Sequence, residues 1–204
     1  MVQKEARLEV IVGNMFGGKS TELIRRVNRH KITKNYQLFK NIIDTRYRNV
    51  ASHDGMQLPA TYVGSVSELE EKTNPEAEVI GIDEIQFFES SIIDLCRKYV
   101  GQGRIVIAAG LLKDFRNQYF TFQDKDKNMS DLLLVADSID FYTAICIYKS
   151  DEGEACAREA SRIQRLANDG IASPQGKTVL VGGIKDYAPK CWEHYVPYED
   201  LEHK

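Results

Sequence analysis

Three groups of residues in this chain have a spacing that chemistry uses. The run Gly13-Asn14-Met15-Phe16-Gly17-Gly18-Lys19-Ser20 fits G-x-x-x-x-G-K-[ST], the phosphate-binding loop. Glycines let consecutive backbone N–H groups converge on phosphate oxygens with no Cβ in the way, and the N-terminus of a following helix adds partial positive charge. Lys19 would reach the β- and γ-phosphates, and Ser20 would set its hydroxyl on Mg²⁺. The alternative is a glycine-rich turn carrying an exposed lysine. A second group, Asp83-Glu84, ends the apolar run Val79-Ile80-Gly81-Ile82. There Asp83 would contact the metal directly or through water and Glu84 would act as a base, unless the pair only caps a solvated loop. The third group is Cys146, Cys156, Cys191 and His194, with nine residues inside the first pair, two inside the second and 34 between the pairs. A Cys₃His set with no open position would be a structural metal site; three buried thiols and a surface histidine is the alternative.

These groups need elements to hold them. Arg7 to Val12 is short and β-branched and stops at Gly13, as a buried strand entering a turn does. Lys19 to His30 reads as a helix, with Leu23, Ile24 and Val27 at helical spacing and Arg25, Arg26 and Arg29 towards solvent or phosphate. Tyr36 to Phe39 is a weaker strand, and Asp44 through Gly55 an irregular loop. Ser65 to Lys72 predicts a short helix, with Ser65 as N-cap and Glu68 in the capping-box relation. Glu78 to Asp83 and Arg104 to Gly110 are further buried strands, separated by an amphipathic helix over Ser90 to Val100 in which Cys96 is a core residue. Beyond Gly110, Lys113 to Lys127 reads as a long surface loop, Met129 to Asp137 as a helix and Tyr142 to Ile145 as a strand. The expected fold is α/β: a P-loop-type parallel sheet domain over residues 1–140, followed by a smaller unit over 141–204.

Composition narrows the partners. With 27 basic and 30 acidic residues the chain has no field to hold a nucleic acid. No apolar run reaches the roughly 20 residues that cross a bilayer, and the N-terminal residues carry no signal-peptide pattern. The expected location is cytoplasmic, where the four cysteines are thiols or metal ligands.

The phosphate loop with its continuation Thr21-Glu22-Leu23-Ile24-Arg25-Arg26, then Asp44-Thr45-Arg46, then Ile82-Asp83-Glu84-Ile85-Gln86-Phe87-Phe88, together resemble the type II thymidine kinases. The resemblance runs in the same order through Gly110-Leu111, Asp114-Phe115-Arg116, Phe120, Ala144-Ile145-Cys146, Gly182-Gly183 and Tyr187, over nearly the whole chain. It implies a transferase that moves the γ-phosphate of ATP to the 5′-hydroxyl of thymidine, built from an α/β nucleotide domain and a zinc-binding lasso domain that contributes to the nucleoside site. It makes Glu84 the base and lets Lys19 and Arg46 neutralise charge on the transferring phosphoryl group. ATP falls to Gly13 through Ser20 with Asp83 and Gln86, and Mg²⁺ to Ser20 and Asp83. The nucleoside falls to Met15, Phe87, Leu111, Phe115, Phe120, Ile163, Thr178, Val181, Gly182 and Tyr187, and structural Zn²⁺ to Cys146, Cys156, Cys191 and His194. A homotetramer inhibited by thymidine triphosphate is the family's usual state. Read without the resemblance, Phe87, Phe88 and Phe120 could be core alone and Arg46 a surface charge. Leu112 and Ile163 stand where many members carry Asp and Thr, which opens a second reading, preference for deoxyuridine or another pyrimidine nucleoside. A water-activating NTPase and a zinc-ribbon binding module are the readings from other classes.

Overall fold

The computed structural model describes residues 5–44, 50–51, 57–167, 170–175, 177–180 and 182–198. Arg46 and Val181 lie outside them. In chain order the first part runs β1 (Arg7–Gly13), α1 (Lys19–His30), β2 (Tyr36–Asn41), a two-residue pair β3 (Val50–Ala51) and β4 (Gln57–Leu58), β5 (Thr61–Val63), α2 (Val66–Glu71), β6 (Val79–Asp83), α3 (Ile92–Gly101), β7 (Ile105–Leu111), α4 (Met129–Leu133) and β8 (Ser138–Tyr142). Six of these strands form one sheet in the order β5-β2-β6-β7-β1-β8, and every pairing in it is parallel. Its central strands read as near-continuous apolar runs because both faces are covered. Alternate residues go to opposite sides: Val10 and Val12 join a core with Ile92, Leu95 and Cys96 of α3, while Ile11 joins Leu23, Ile24 and Val27 of α1. All six strands run the same way, so Gly13, Asp83 and Leu111 end together at the carboxyl edge, where open α/β sheets bind ligands.

The second part is antiparallel and built from short pieces. β9 (Ala144–Ile145) pairs with β10 (Glu159–Ala160), and β11 (Arg162–Ala167) pairs with both β12 (Gly170–Ile171) and β13 (Tyr187–Lys190).

Four local expectations change. Ser65 does cap α2, its Oγ accepting the Glu68 N–H at 3.2 Å, but the Glu68 carboxylate reaches past the cap to the N–H of Gly64 at 2.6 Å. The helix expected over Met129 to Asp137 stops at Leu133, because Asp137 joins β1: its N–H donates to the Leu8 carbonyl and its carboxylate accepts the Leu8 N–H. The next residues form β8, the sixth strand, and the strand expected over Tyr142 to Ile145 breaks at Thr143 into the end of β8 and all of β9. Lys113 to Lys127 is no simple surface loop, since bridges Lys113–Tyr119 and Thr121–Asn128 fold it back and bury Phe120 and Phe122.

Candidate active site

The phosphate loop occupies the turn from β1 into α1. Gly13 has φ 146°, and a Cβ there would lie 1.9 Å from the Tyr142 carbonyl oxygen, so the corner after β8 excludes any side chain. Gly18 caps α1 in the left-handed region with no side-chain cap, which leaves the first N–H groups of the helix to an anion. Lys19 is buried, and its Nζ donates to the Asn14 carbonyl at 2.6 Å. Asn14 in turn donates through Nδ2 to the Ala160 carbonyl of β10 at 2.9 Å, tying the loop to the antiparallel part. Phe16, at φ 66°, packs between that part's two apolar clusters.

Asp83, at the end of β6, accepts the Ser20 hydroxyl at 3.0 Å. Burial, then the neighbouring Glu84 charge, push its carboxyl up to about 7, against the opposing influence of Lys40 and the Ser20 hydrogen bond. The two oxygen donors, one hydroxyl and one carboxylate, match the hard ligands Mg²⁺ takes beside substrate phosphates. Lys40, the register partner of Asp83 on β2, is itself paired with Asp44 at 3.0 Å, both side chains 2% exposed. Glu84 follows in the left-handed conformation, φ 52°, ψ 46°. Gln86, two residues on and in the middle of the 3-10 turn Ile85–Phe87, is enclosed and bonded to Glu84 and to the backbone of Leu111.

An apolar cavity opens beside Glu84. Of the ten residues the family resemblance gives to the nucleoside, Met15, Phe87, Leu111, Phe115, Phe120, Ile163, Thr178, Gly182 and Tyr187 all line it; Val181 lies outside the described residues. Phe87 and Phe120 meet edge to face at 5.9 Å. Phe115 is held edge-on by Tyr198 and lies under two guanidiniums, Arg116 at 4.2 Å and Arg165 at 5.1 Å. Those arginines also donate to the carbonyls of Pro174 and Lys177, which ties down the loop carrying Thr178. The Tyr187 hydroxyl donates to the Leu180 carbonyl at 2.9 Å. Leu112 packs on the main core instead of lining the cavity, so of the two departures from the family pattern only Ile163 touches it. Val179 and Leu180 also line it, within the Thr178 to Gly182 stretch whose backbone the family resemblance sets against the base, whereas sequence reading gave Lys113 and Asp114 no place in the lining. Asp114 belongs to the quoted Asp114-Phe115-Arg116 run; Lys113 gave no signal.

Cys146, Cys156, Cys191 and His194 bring their ligand atoms within 4.8 Å of one another. The nine residues between the first two form a hairpin: the Cys156 N–H donates to Tyr148, the Cys146 N–H to Arg158, and Lys149 bridges Ala155. Cys191 and His194 flank one 3-10 turn. Separations of 3.3 Å from Cys191 Sγ to His194 Nδ1, 3.7 Å from Cys146 Sγ to the same nitrogen and 3.9 Å between Cys156 and Cys191 Sγ resemble the edges of a tetrahedron. With zinc–sulfur bonds near 2.3 Å and zinc–nitrogen bonds near 2.0 Å, such edges are roughly 3.5–3.8 Å. Four soft and imidazole donors in that arrangement could hold a metal ion with no open position. Tyr148 stacks on the His194 ring at 3.8 Å and steadies its orientation.

Among the described residues no helix is long and apolar enough to cross a membrane. Two solved helicase structures are only loosely similar. One, a DnaB-like replicative helicase, has TM-score 0.39 at 15% identity over 68% of this chain and 48% of that one; the other, a Pif1 helicase, has TM-score 0.39 at 18% identity over 73% and 42%. Sequence likeness is far stronger. The chain is 40% identical to a thymidine kinase of Mesoplasma florum over 92% of its length and 90% of that protein's. It is also 40% identical to a thymidine kinase of Thermococcus kodakarensis over 93% of each. Residues 6–195 match the family model for thymidine kinase, and the chain belongs to that family.

Proposed function

We propose that this chain transfers the γ-phosphate of ATP to the 5′-hydroxyl of thymidine, with Glu84 as the general base. The observation that carries the assignment is the position of Glu84: it lines the aromatic cavity and directly follows Asp83, which is bonded to Ser20 of the phosphate loop. The nucleoside's base stacks on Phe115 and Phe120 within the cavity, and its hydrogen-bonding edge meets main-chain groups from Thr178 to Gly182. Glu84 takes the 5′-hydroxyl proton as that oxygen bonds the γ-phosphorus, the bond to the bridging oxygen breaks, and ADP leaves. Lys19 turns from the Asn14 carbonyl to the phosphate oxygens. Arg46 joins it by likeness to the family, and loop N–H groups complete the charge neutralisation. Ser20 and Asp83 would hold Mg²⁺, which would supply charge compensation for the phosphate oxygens.

Zn²⁺ at Cys146, Cys156, Cys191 and His194 is structural, stapling a unit of short strands that has little core of its own. We read residues 1–140 as the nucleotide domain and 141–204 as the lasso domain. Inhibition by thymidine triphosphate, a homotetramer and a cytoplasmic location complete the proposal by likeness to the family. Preference for another pyrimidine nucleoside is the second reading, favoured by Ile163 in the cavity wall. Glu84→Gln tests the central assignment: turnover should vanish while ATP still binds, and retained turnover would overturn it.

A further inference from the structure

Gln86 is 1% exposed, yet neither end of its amide faces the phosphate loop. Its Nε2 donates to Glu84 Oε2 at 2.6 Å, and its Oε1 accepts the Leu111 N–H at 3.0 Å. This orientation of the amide is the one chemistry permits. Flipped, the NH₂ group would face the Leu111 N–H and the carbonyl oxygen would face a carboxylate, two repulsions in place of two bonds. The backbone makes room for it: a Cβ on Gly110 would lie 2.5 Å from Oε1, so residue 110 leaves a hollow for the amide. Glu84 needs such support, because its left-handed backbone aims a side chain with three rotatable bonds into a cavity.

We propose that Gln86 is a positioning residue for phosphoryl transfer, bracing the Glu84 carboxylate in the orientation that meets the nucleoside hydroxyl. The brace is anchored on Leu111, which lines the same cavity, so the base and the nucleoside wall share one rigid link. Gln86 itself gives up no proton. The 5′-hydroxyl proton passes to the Glu84 carboxylate as the oxygen–phosphorus bond forms, and the leaving ADP takes the electron pair of the bond that breaks. This rests on the reading of Glu84 as the base, and it replaces the ATP contact that the family resemblance gives Gln86.

Gln86→Met keeps the length of the side chain and removes both hydrogen bonds. The full chain carrying Q86M, the parent and Glu84→Gln are assayed side by side for thymidine phosphorylation, with ATP affinity measured separately by equilibrium binding. The expected result for Q86M is a kcat lower by roughly 10- to 100-fold, since a misplacement of about 1 Å costs on that order. The KM for both substrates and the ATP dissociation constant should stay within about threefold, a split that loss of a merely structural residue does not give. A kcat within threefold of the parent overturns the proposal, and so does a tenfold weaker ATP affinity with kcat retained, which would make Gln86 a nucleotide contact. Turnover retained by E84Q defeats the reading of the base itself, whatever Q86M does. Should Q86M fail to fold, Gly110→Ala displaces the same amide from behind; a parental kcat there overturns the proposal, and a fall in kcat at constant KM supports it.

Discussion

Lys40 and Asp44 sit 3.0 Å apart with both side chains 2% exposed, beside the buried carboxylates Asp83 and Glu84. At that distance the attraction is about 5.5 kcal/mol at an effective dielectric constant of about 20. Each ion has lost several kcal/mol of hydration, so the intact pair is close to neutral, and removing the lysine withdraws its share of the compensation from the buried Asp44 carboxylate. Lys40→Met is therefore expected to destabilise the protein by about 3–5 kcal/mol. In a chain of this size that lowers the melting temperature by roughly 6–20 °C. The loss also removes a cation that opposes the rise in the Asp83 pKa, so less nucleotide-site charge is compensated. Adding Asp44→Leu removes the buried carboxylate that lost its lysine, and K40M/D44L should be more stable than K40M alone. Urea unfolding of zinc-loaded parent, single and double variants at neutral pH reads these differences. A K40M variant within about 1 kcal/mol of the parent would refute the reasoning, as would a double variant no more stable than K40M.

Two other outcomes follow from the geometry. Elemental analysis of protein purified without chelator should find one zinc per chain; Cys191→Ser should lose it and melt at least about 10 °C lower, since structural zinc contributes folding free energy outright. A stoichiometric yield of zinc-free, equally stable protein would contradict the metal assignment. The second outcome concerns pH. Asp83 in the folded chain is raised to about 7 from 3.8, so the native state binds more protons between these values and the stability this group contributes is lost as pH rises through about 7. Asp83→Asn should flatten that fall in zinc-loaded, magnesium-free protein unfolded by urea at pH 5, 6, 7 and 8; identical slopes in parent and variant would show that Asp83 is not the group responsible.

The sheet and the phosphate loop were legible because glycine placement and apolar runs are local properties, and β1, α1, β6 and β7 follow them within a residue or two. β8 was not, because the alternation along it is reversed. Ile139 and Phe141 are exposed on an edge strand while Ser138, Asp140 and Tyr142 turn inward, Asp140 to bind Arg26 of α1. The Lys113 to Lys127 segment reads as polar surface for a similar reason. Two phenylalanines anchor it through isolated bridges too short to impose a period. The metal cluster lay in between: four ligands could be picked from spacing, but the hairpin that brings Cys146 to Cys156 depends on pairings such as Cys156 with Tyr148 that no periodicity announces. The clamp of Arg116 and Arg165 over Phe115 joins residues about fifty positions apart and is visible only once the chain is folded.

The most direct test of the account is transfer of labelled γ-phosphate from Mg-ATP to thymidine, deoxyuridine, deoxycytidine and deoxyguanosine in parallel, with a control lacking nucleoside. The account predicts label mainly on thymidine and little free phosphate in the control. Label released only as free phosphate would contradict it.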